Sequence, residues 1–322
     1  MKDIIQEIIK TDLEQLNQII REDLDSNVFL IKQISEYIIS SGGKRIRPTL
    51  TLLCGRIAGF KEGNLLHKMA AMIEYIHTAT LLHDDVVDGS GMRRGRKTSN
   101  AVFGNAASVL VGDFIYTRSF QMMVQSNSLR LLEVMANSTN KISEGEVLQL
   151  LNIGRSDLTE SEYFKVIDSK TAVLFEASAR VAAIIAQTDS KIEENLSNYA
   201  KYLGIAFQIV DDILDYTGDG QNMGKNVGDD LLEGKVTLPL IYILQNGNHE
   251  EQNIIKSAIE NPENSDINLI IAIINTSNAI TYCSNIAYNY INQALSMLDI
   301  FPESQYKTAM IELSKLAVDR IS

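Results

Sequence analysis

Only two cysteines occur in the 322 residues, Cys54 and Cys283, far apart and each in apolar surroundings. That leaves no disulfide framework and no cysteine metal site, and it fits two buried thiols in a reducing cytosol. Tryptophan is absent and proline occurs four times, yet 45% of the chain is hydrophobic, enough for a large core. No apolar run approaches membrane-spanning length, and the start, Met1-Lys2-Asp3-Ile4-Ile5-Gln6-Glu7, carries acids where a signal peptide needs a continuous apolar stretch. A cytoplasmic protein without permanent membrane insertion is expected. Positive charge is in deficit: a formal net charge of −12 argues against a nucleic-acid partner and a general pull toward anionic lipid, so any phosphate contacts must be local. Sustained period-two alternation is missing as well, which removes β architectures.

What is present is helical period. Residues 3–22 carry Ile4, Ile5, Ile8, Ile9, Leu13, Leu16 and Ile20 on one stripe, and a second helix over about 25–40 ends at Gly42-Gly43. Lys44-Arg45-Ile46-Arg47-Pro48 follows, with Pro48 suited to the first turn of a new helix. Cations beside the free N–H groups of a helix start form either an anion site or a basic loop in an acidic protein. Long helices are expected over 64–88, 101–125 and 129–151, the last two apolar enough for a bundle core. Thr159-x-x-Glu162 and Ser190-x-x-Glu193 each fit a capping box that opens another. Residues 247–268 look like a loose connection, and the helices over 269–320 like scaffold. The fold class is all-α, a bundle of long helices in one domain spanning 1–322.

Two stretches carry chemistry. The helix over 64–88 ends in Asp84-Asp85-x-x-Asp88, and a loop rich in cations, Arg93-Arg94-Gly95-Arg96-Lys97, leaves it. Asp84 and Asp88 lie one above the other on a helix face. Their mutual repulsion, at a helix C-terminus that already disfavours anions, calls for a cation, and Mg²⁺ held by one or two carboxylates plus substrate phosphates meets the need. A solvated acidic helix end fits one such motif equally well. The pattern returns, however, as Asp211-Asp212-x-x-Asp215, again at a helix end and followed by a glycine-rich loop with Lys225 and Lys235. Two helices ending alike can share metal ions across a bundle.

At this point the chain resembles the trans-prenyltransferases, the polyprenyl diphosphate synthases, and within them the bacterial octaprenyl diphosphate synthases. The resemblance rests on Gly43-Lys44-x-x-Arg47-Pro48, His77, the Asp84 motif followed by Arg93-Arg94-Gly95, Lys170-Thr171, Gln208 with the Asp211 motif, and Gly224-Lys225, all in the family's order. It implies a homodimer of all-α subunits around a central cavity, the isoprenoid synthase fold. It also implies two to three Mg²⁺ ions held by Asp84, Asp88 and Asp211, with Asp85 and Asp215 in support. Arg93 would contact the allylic diphosphate, and Lys170, Lys225 and Lys235 would stabilise it as it leaves. Lys44, Arg47, His77 and Arg94 would hold isopentenyl diphosphate, and Thr171 and Gln208 would line the gap between the substrates. The implied reaction is successive condensation of isopentenyl diphosphate onto an allylic diphosphate such as farnesyl diphosphate, supplying quinone side chains such as that of ubiquinone. By family analogy the departing diphosphate takes the proton, since no side-chain base stands out.

A terpene cyclase would not need the second aspartate motif or the Lys44, Arg47 and His77 set, and a silent regulatory subunit would be expected to have lost some of the six aspartates. Product length is read from the residues before Asp84. In short-chain members an aromatic residue stands there and blocks the tail, whereas here Thr80 and Ala79 are small. Ala79 either opens a tunnel or permits close helix packing. A long product near C40 is expected over C15–C20 or C45, with a barrier deeper among Phe120, Met122, Met123 and Met135. The expected outcome is that Ala79→Tyr truncates the product toward C15–C20 on reversed-phase chromatography of the dephosphorylated alcohols. An unchanged product ladder would rule out this wall position.

Overall fold

The structure, a computed structural model, describes residues 3–218 and 227–320. Lys225, expected as a leaving-group contact, lies outside the described residues. Helices dominate: α1 Asp3–Ile8, α2 Lys10–Asp23, α3 Phe29–Ser40, α4 Ile46–Ile57, α5 Leu65–Val87, α6 Ser99–Phe103, α7 Asn105–Gln125 and α8 Leu129–Leu151. After them come α9 Glu160–Ile167, α10 Val173–Ile185, α11 Ser190–Thr217, α12 Asp229–Leu232, α13 Leu238–Asn246, α14 His249–Glu260, α15 Ile267–Thr276, α16 Ala279–Ser296 and α17 Gln305–Val318. The fold is all-α. Its contacts divide the chain into two compact units, one made of Met1–Ser138, Leu174–Ala200 and Met297–Leu313, the other of Thr139–Val173, Lys201–Ser296 and Ser314–Ser322.

In the first unit α5 is the centre, packed most extensively on α7 and next on α4 and α2. Gly112 on α7 leaves room for the His83 imidazole of α5, whose Nε2 lies 3.2 Å from the Val109 carbonyl. A buried triad ties α2 to α4 and α5. Asp12 accepts from both Arg56 and His67, and these bonds overcome the burial that would raise its pKa, holding it at about 2. In the second unit α13 packs on α14 and α16.

Several expectations are corrected. The first stripe is two helices that meet at Ile9. The cap of α11 is Asp189, whose carboxylate accepts from Ile192 N–H, while Glu193 is buried and paired with Arg130 and Arg180. Residues 249–260 are helix, not loose connection, because Asn248 and Glu251 form a capping box and Ile255 and Ile259 supply a buried stripe. The loop after α5 contains a short antiparallel ribbon, β1 Met92–Arg93 with β2 Arg96–Lys97. Its two turn residues, Arg94 and Gly95, both have positive φ (53° and 72°), as a tight hairpin turn of this hand requires. Among the described residues no single helix is long and apolar enough to cross a membrane.

Candidate functional site

On α5 most of the side chains after Leu65 are buried, but one stripe is only half-buried: Glu74, His77, Leu81, Asp84 and Asp88. Their spacing, three and four residues in turn, is that of a single helix face. The face begins in a basic recess and ends in the carboxylates. The recess is lined by Arg45, Glu74, His77 and Arg94 over Ile20 and Ile38. Arg45 holds the left-handed conformation (φ 45°) at the start of α4 and bonds Asn17, and Arg94 bonds the Gly42 carbonyl. A Cβ at Gly43 would come within 2.5 Å of the Arg94 guanidinium, so that side chain would have to shift.

Arg47 lies with its guanidinium 4.6 Å from the Phe175 ring centroid and its Nη1 3.3 Å from His77 Nε2. Arginine is a donor only, so His77 Nε2 must accept and the imidazole is neutral with its proton on Nδ1. Burial and the charges of Arg47, Arg94 and Arg93 push the His77 pKa well below the usual histidine range. Burial raises the Glu74 carboxyl, against the pull of Arg45, Arg47 and Arg94. Lys44 is exposed.

The three aspartates of the first motif have different surroundings. Asp84 and Asp88 are half-buried on the stripe. Asp85 points inward, fully buried, and accepts from Arg93 Nε at 2.7 Å. Its carbonyl accepts from Asn100, which fastens the loop to the end of α5. Removing one member of such a buried pair costs about 3–5 kcal/mol.

In the second unit a π-turn, Asp168–Ala172, carries Lys170 and Thr171. Such turns widen a helix by one residue and are frequent at functional sites. Asp168, bonded by Lys141 and Lys201, is held below the usual carboxylate range despite its burial. Gly145 of α8 seats against this turn, for a Cβ would meet the Lys170 backbone nitrogen at 2.8 Å. Lys170 Nζ donates to Glu146 and Gln149, also on α8. Thr171 Oγ1 donates to Gln208 Oε1 at 2.8 Å, and Gln208 Nε2 donates to Asp212 Oδ1 at 2.8 Å. Tyr163 Oη donates to the other oxygen of Asp212 at 2.6 Å.

Asp212 is therefore a buried acceptor at both oxygens, and burial together with the charge of Asp230 raises its pKa to about 8. Asp215 is buried and accepts the Asp230 backbone N–H. Of this motif Asp211 is the most accessible, and Arg320 Nη1 reaches its Oδ1 at 2.6 Å. Lys235 Nζ turns to Glu233 at 2.6 Å. Tyr163, Glu74 and Arg320 were not singled out from sequence, for each is a common residue outside any motif of recognisable spacing.

Among the described residues no three His, Cys, Asp or Glu side chains converge into a ready metal cage. Mg²⁺ does not require one, since it is usually held by one or two carboxylates with waters and substrate phosphates. The hard oxygens of Asp84 and Asp88, one turn apart on the half-buried stripe, fit that donor set, as does Asp211. The chain-length candidates Ala79, Met122, Met123 and Met135 are buried, Thr80 is half-buried with its hydroxyl on the His77 carbonyl, and Phe120 is exposed.

The profile of the polyprenyl synthetase family matches residues 28–277. The chain is 49% identical to an octaprenyl diphosphate synthase of Escherichia coli, covering 98% of each. It is 45% identical to an all-trans-nonaprenyl-diphosphate synthase (geranyl-diphosphate specific) of Rhodobacter capsulatus, covering 97% of this chain and 96% of the relative. In three dimensions it is similar to a polyprenyl synthase from Caulobacter crescentus complexed with calcium and isoprenyl diphosphate, with a TM-score of 0.95 and 39% identity over 99% and 98% of the two chains. The chain belongs to the polyprenyl synthetase family, and it is a prenyltransferase.

The neutral His77 makes a prediction about pH. Unfolded, this imidazole takes a proton as pH falls through about 6.5; folded, it does not, so stability present above that pH is lost below it, at up to ~1.4 kcal/mol per pH unit. In the ligand-free protein the His77 Cε1–H resonance, assigned with His77→Gln, should not titrate between pH 8 and pH 5.5. A midpoint near 6.5 would contradict the tautomer derived from Arg47.

Proposed function

We propose that the protein is a trans-polyprenyl diphosphate synthase that extends an allylic diphosphate, by preference farnesyl diphosphate, with isopentenyl diphosphate to a product near C40. The observation that carries this reading is the α5 stripe, where a carboxylate pair stands on the same face as a histidine braced by Arg47. The end-to-end likeness to an octaprenyl diphosphate synthase favours the C40 length over the shorter products.

The assignments of individual residues follow from this geometry and the family resemblance. Asp84 and Asp88, and Asp211 from the second motif, hold magnesium against the allylic diphosphate. When bound, magnesium supplies Lewis-acid stabilisation of the departing diphosphate. Asp85 and Asp215, being buried, contribute by holding Arg93 and the backbone of Asp230 in place. Arg93 supports the allylic diphosphate, and Lys170 and Lys235, joined by Lys225, receive the charge that develops on it. Lys44, Arg47 and Arg94 bind the diphosphate of isopentenyl diphosphate, and neutral His77 keeps Arg47 aimed. Thr171 and Gln208 face the reacting carbons. As the allylic C–O bond breaks, its electron pair leaves with the diphosphate; the double bond of isopentenyl diphosphate then attacks the allylic cation, and a proton leaves to the departed diphosphate. Fixed cations already in position lower the barrier because they need not reorganise.

The active form is proposed to be a homodimer, supported by the apolar side chains that α7 exposes, Leu110 at 67% and Val124 at 62% among them, and by Leu129, 82% exposed, at the start of α8. The test uses purified protein with Mg²⁺, farnesyl diphosphate and radiolabelled isopentenyl diphosphate. Labelled product near C40 is expected from a species sedimenting as a dimer, and Asp84→Ala should lower kcat/KM by at least ~100-fold. No incorporation by the unaltered protein, or a ladder ending at C15–C20, would contradict the reading.

A further inference from the structure

The hydrogen bonds of the second unit form a directed chain whose first member lies outside every motif. Tyr163 Oη donates to Asp212 Oδ2, Gln208 Nε2 donates to Asp212 Oδ1, and Thr171 Oγ1 donates to Gln208 Oε1. We propose that Tyr163 is a positioning residue: through Asp212 and Gln208 it fixes the direction in which the Thr171 hydroxyl points.

The structure sets the Gln208 NH₂ group against Asp212 Oδ1 and its carbonyl oxygen, an acceptor only, against Thr171 Oγ1. Thr171 therefore spends its proton on Gln208 and presents lone pairs elsewhere. Were the amide turned over, its NH₂ group would donate to Thr171, and the threonine proton would be released in the opposite sense. The lock is held at Asp212, which is 3% exposed, and Tyr163, 4% exposed, closes its second oxygen. Without that bond a buried carboxylate oxygen loses its donor, and the carboxylate is free to rotate or to share Gln208 between its two oxygens.

The consequence for catalysis rests on the functional reading above. If Thr171 and Gln208 face the reacting carbons, an oxygen that presents lone pairs stabilises positive charge nearby, whereas one that presents a proton opposes it. Tyr163 touches no substrate in this scheme; it sets the sign of a dipole two links away.

The test has an arm independent of activity. In the unaltered protein the Gln208 side-chain NH₂ should give one well-resolved pair of amide resonances, assigned by their loss in Gln208→Glu. Tyr163→Phe keeps the ring, which packs edge-on against Phe164 with centroids 5.4 Å apart, and should shift or broaden that pair. Unchanged resonances would overturn the proposal. In turnover, Tyr163→Phe should lower kcat by about tenfold with the KM of each substrate within about twofold, because the change is in alignment and not in binding. In a Thr171→Ala background the same substitution should have no further effect. An equal loss in both backgrounds would show that Tyr163 acts independently of Thr171 and would also overturn the proposal. Should Tyr163→Phe fold poorly, Asp212→Asn breaks the next link and must give the same non-additivity with Thr171→Ala. Failure of the unaltered protein to incorporate isopentenyl diphosphate would refute the functional reading and leave the resonance arm to decide the role of Tyr163.

Discussion

The structure around α5 depends on how it manages like charge at a helix end. Three aspartates within five residues, at a C-terminus that already disfavours anions, would fray the helix if all faced one way. The protein divides them. Asp85 is buried against Arg93, and its backbone carbonyl accepts from Asn100, so one carboxylate fastens the arginine hairpin to the helix. Asp84 and Asp88 remain on the half-buried face. That division leaves two carboxylates one turn apart, which on the proposed reading would hold a hard cation.

The second motif is divided in the same manner with different partners. Asp215 caps the returning backbone at Asp230, Asp212 anchors the Gln208 amide, and Asp211 stays accessible beside Arg320. The cations proposed to serve the substrates are likewise held by the protein itself. Arg93 is paired with Asp85, Lys170 with Glu146, and Lys235 with Glu233. Partners of this type keep long side chains in position and limit the entropy lost when a diphosphate replaces them. They also give each cation a fixed starting point, which electrostatic stabilisation of a leaving group requires.

Much of this was legible in the sequence, and what was missed has a physical pattern. The long helices announced themselves through apolar period, and the aspartate motifs through their repetition at helix ends. Spacing could place Asp84 above Asp88, but it could not say that Asp85 is buried against Arg93, because that depends on the hairpin turning back at Arg94-Gly95. Tyr163 was illegible for a similar reason: 49 residues separate it from Asp212, and only folding brings them together. The stretch 247–268 reads as a connection because its polar residues outnumber its apolar ones. Its few isoleucines nevertheless fall at helical spacing behind the Asn248 cap.

The central claim, that the divided carboxylates make a cation-dependent diphosphate cradle, is tested most directly by binding without turnover. Farnesyl diphosphate, with no isopentenyl diphosphate present, is titrated calorimetrically into the protein with Mg²⁺ and again with excess chelator. The account predicts binding that needs Mg²⁺ and that falls by at least ~100-fold in Asp84→Ala, the effect of losing a charge-assisted ligand worth about 3 kcal/mol. Equal affinity with and without the metal, in a protein whose fold is unchanged, would contradict it.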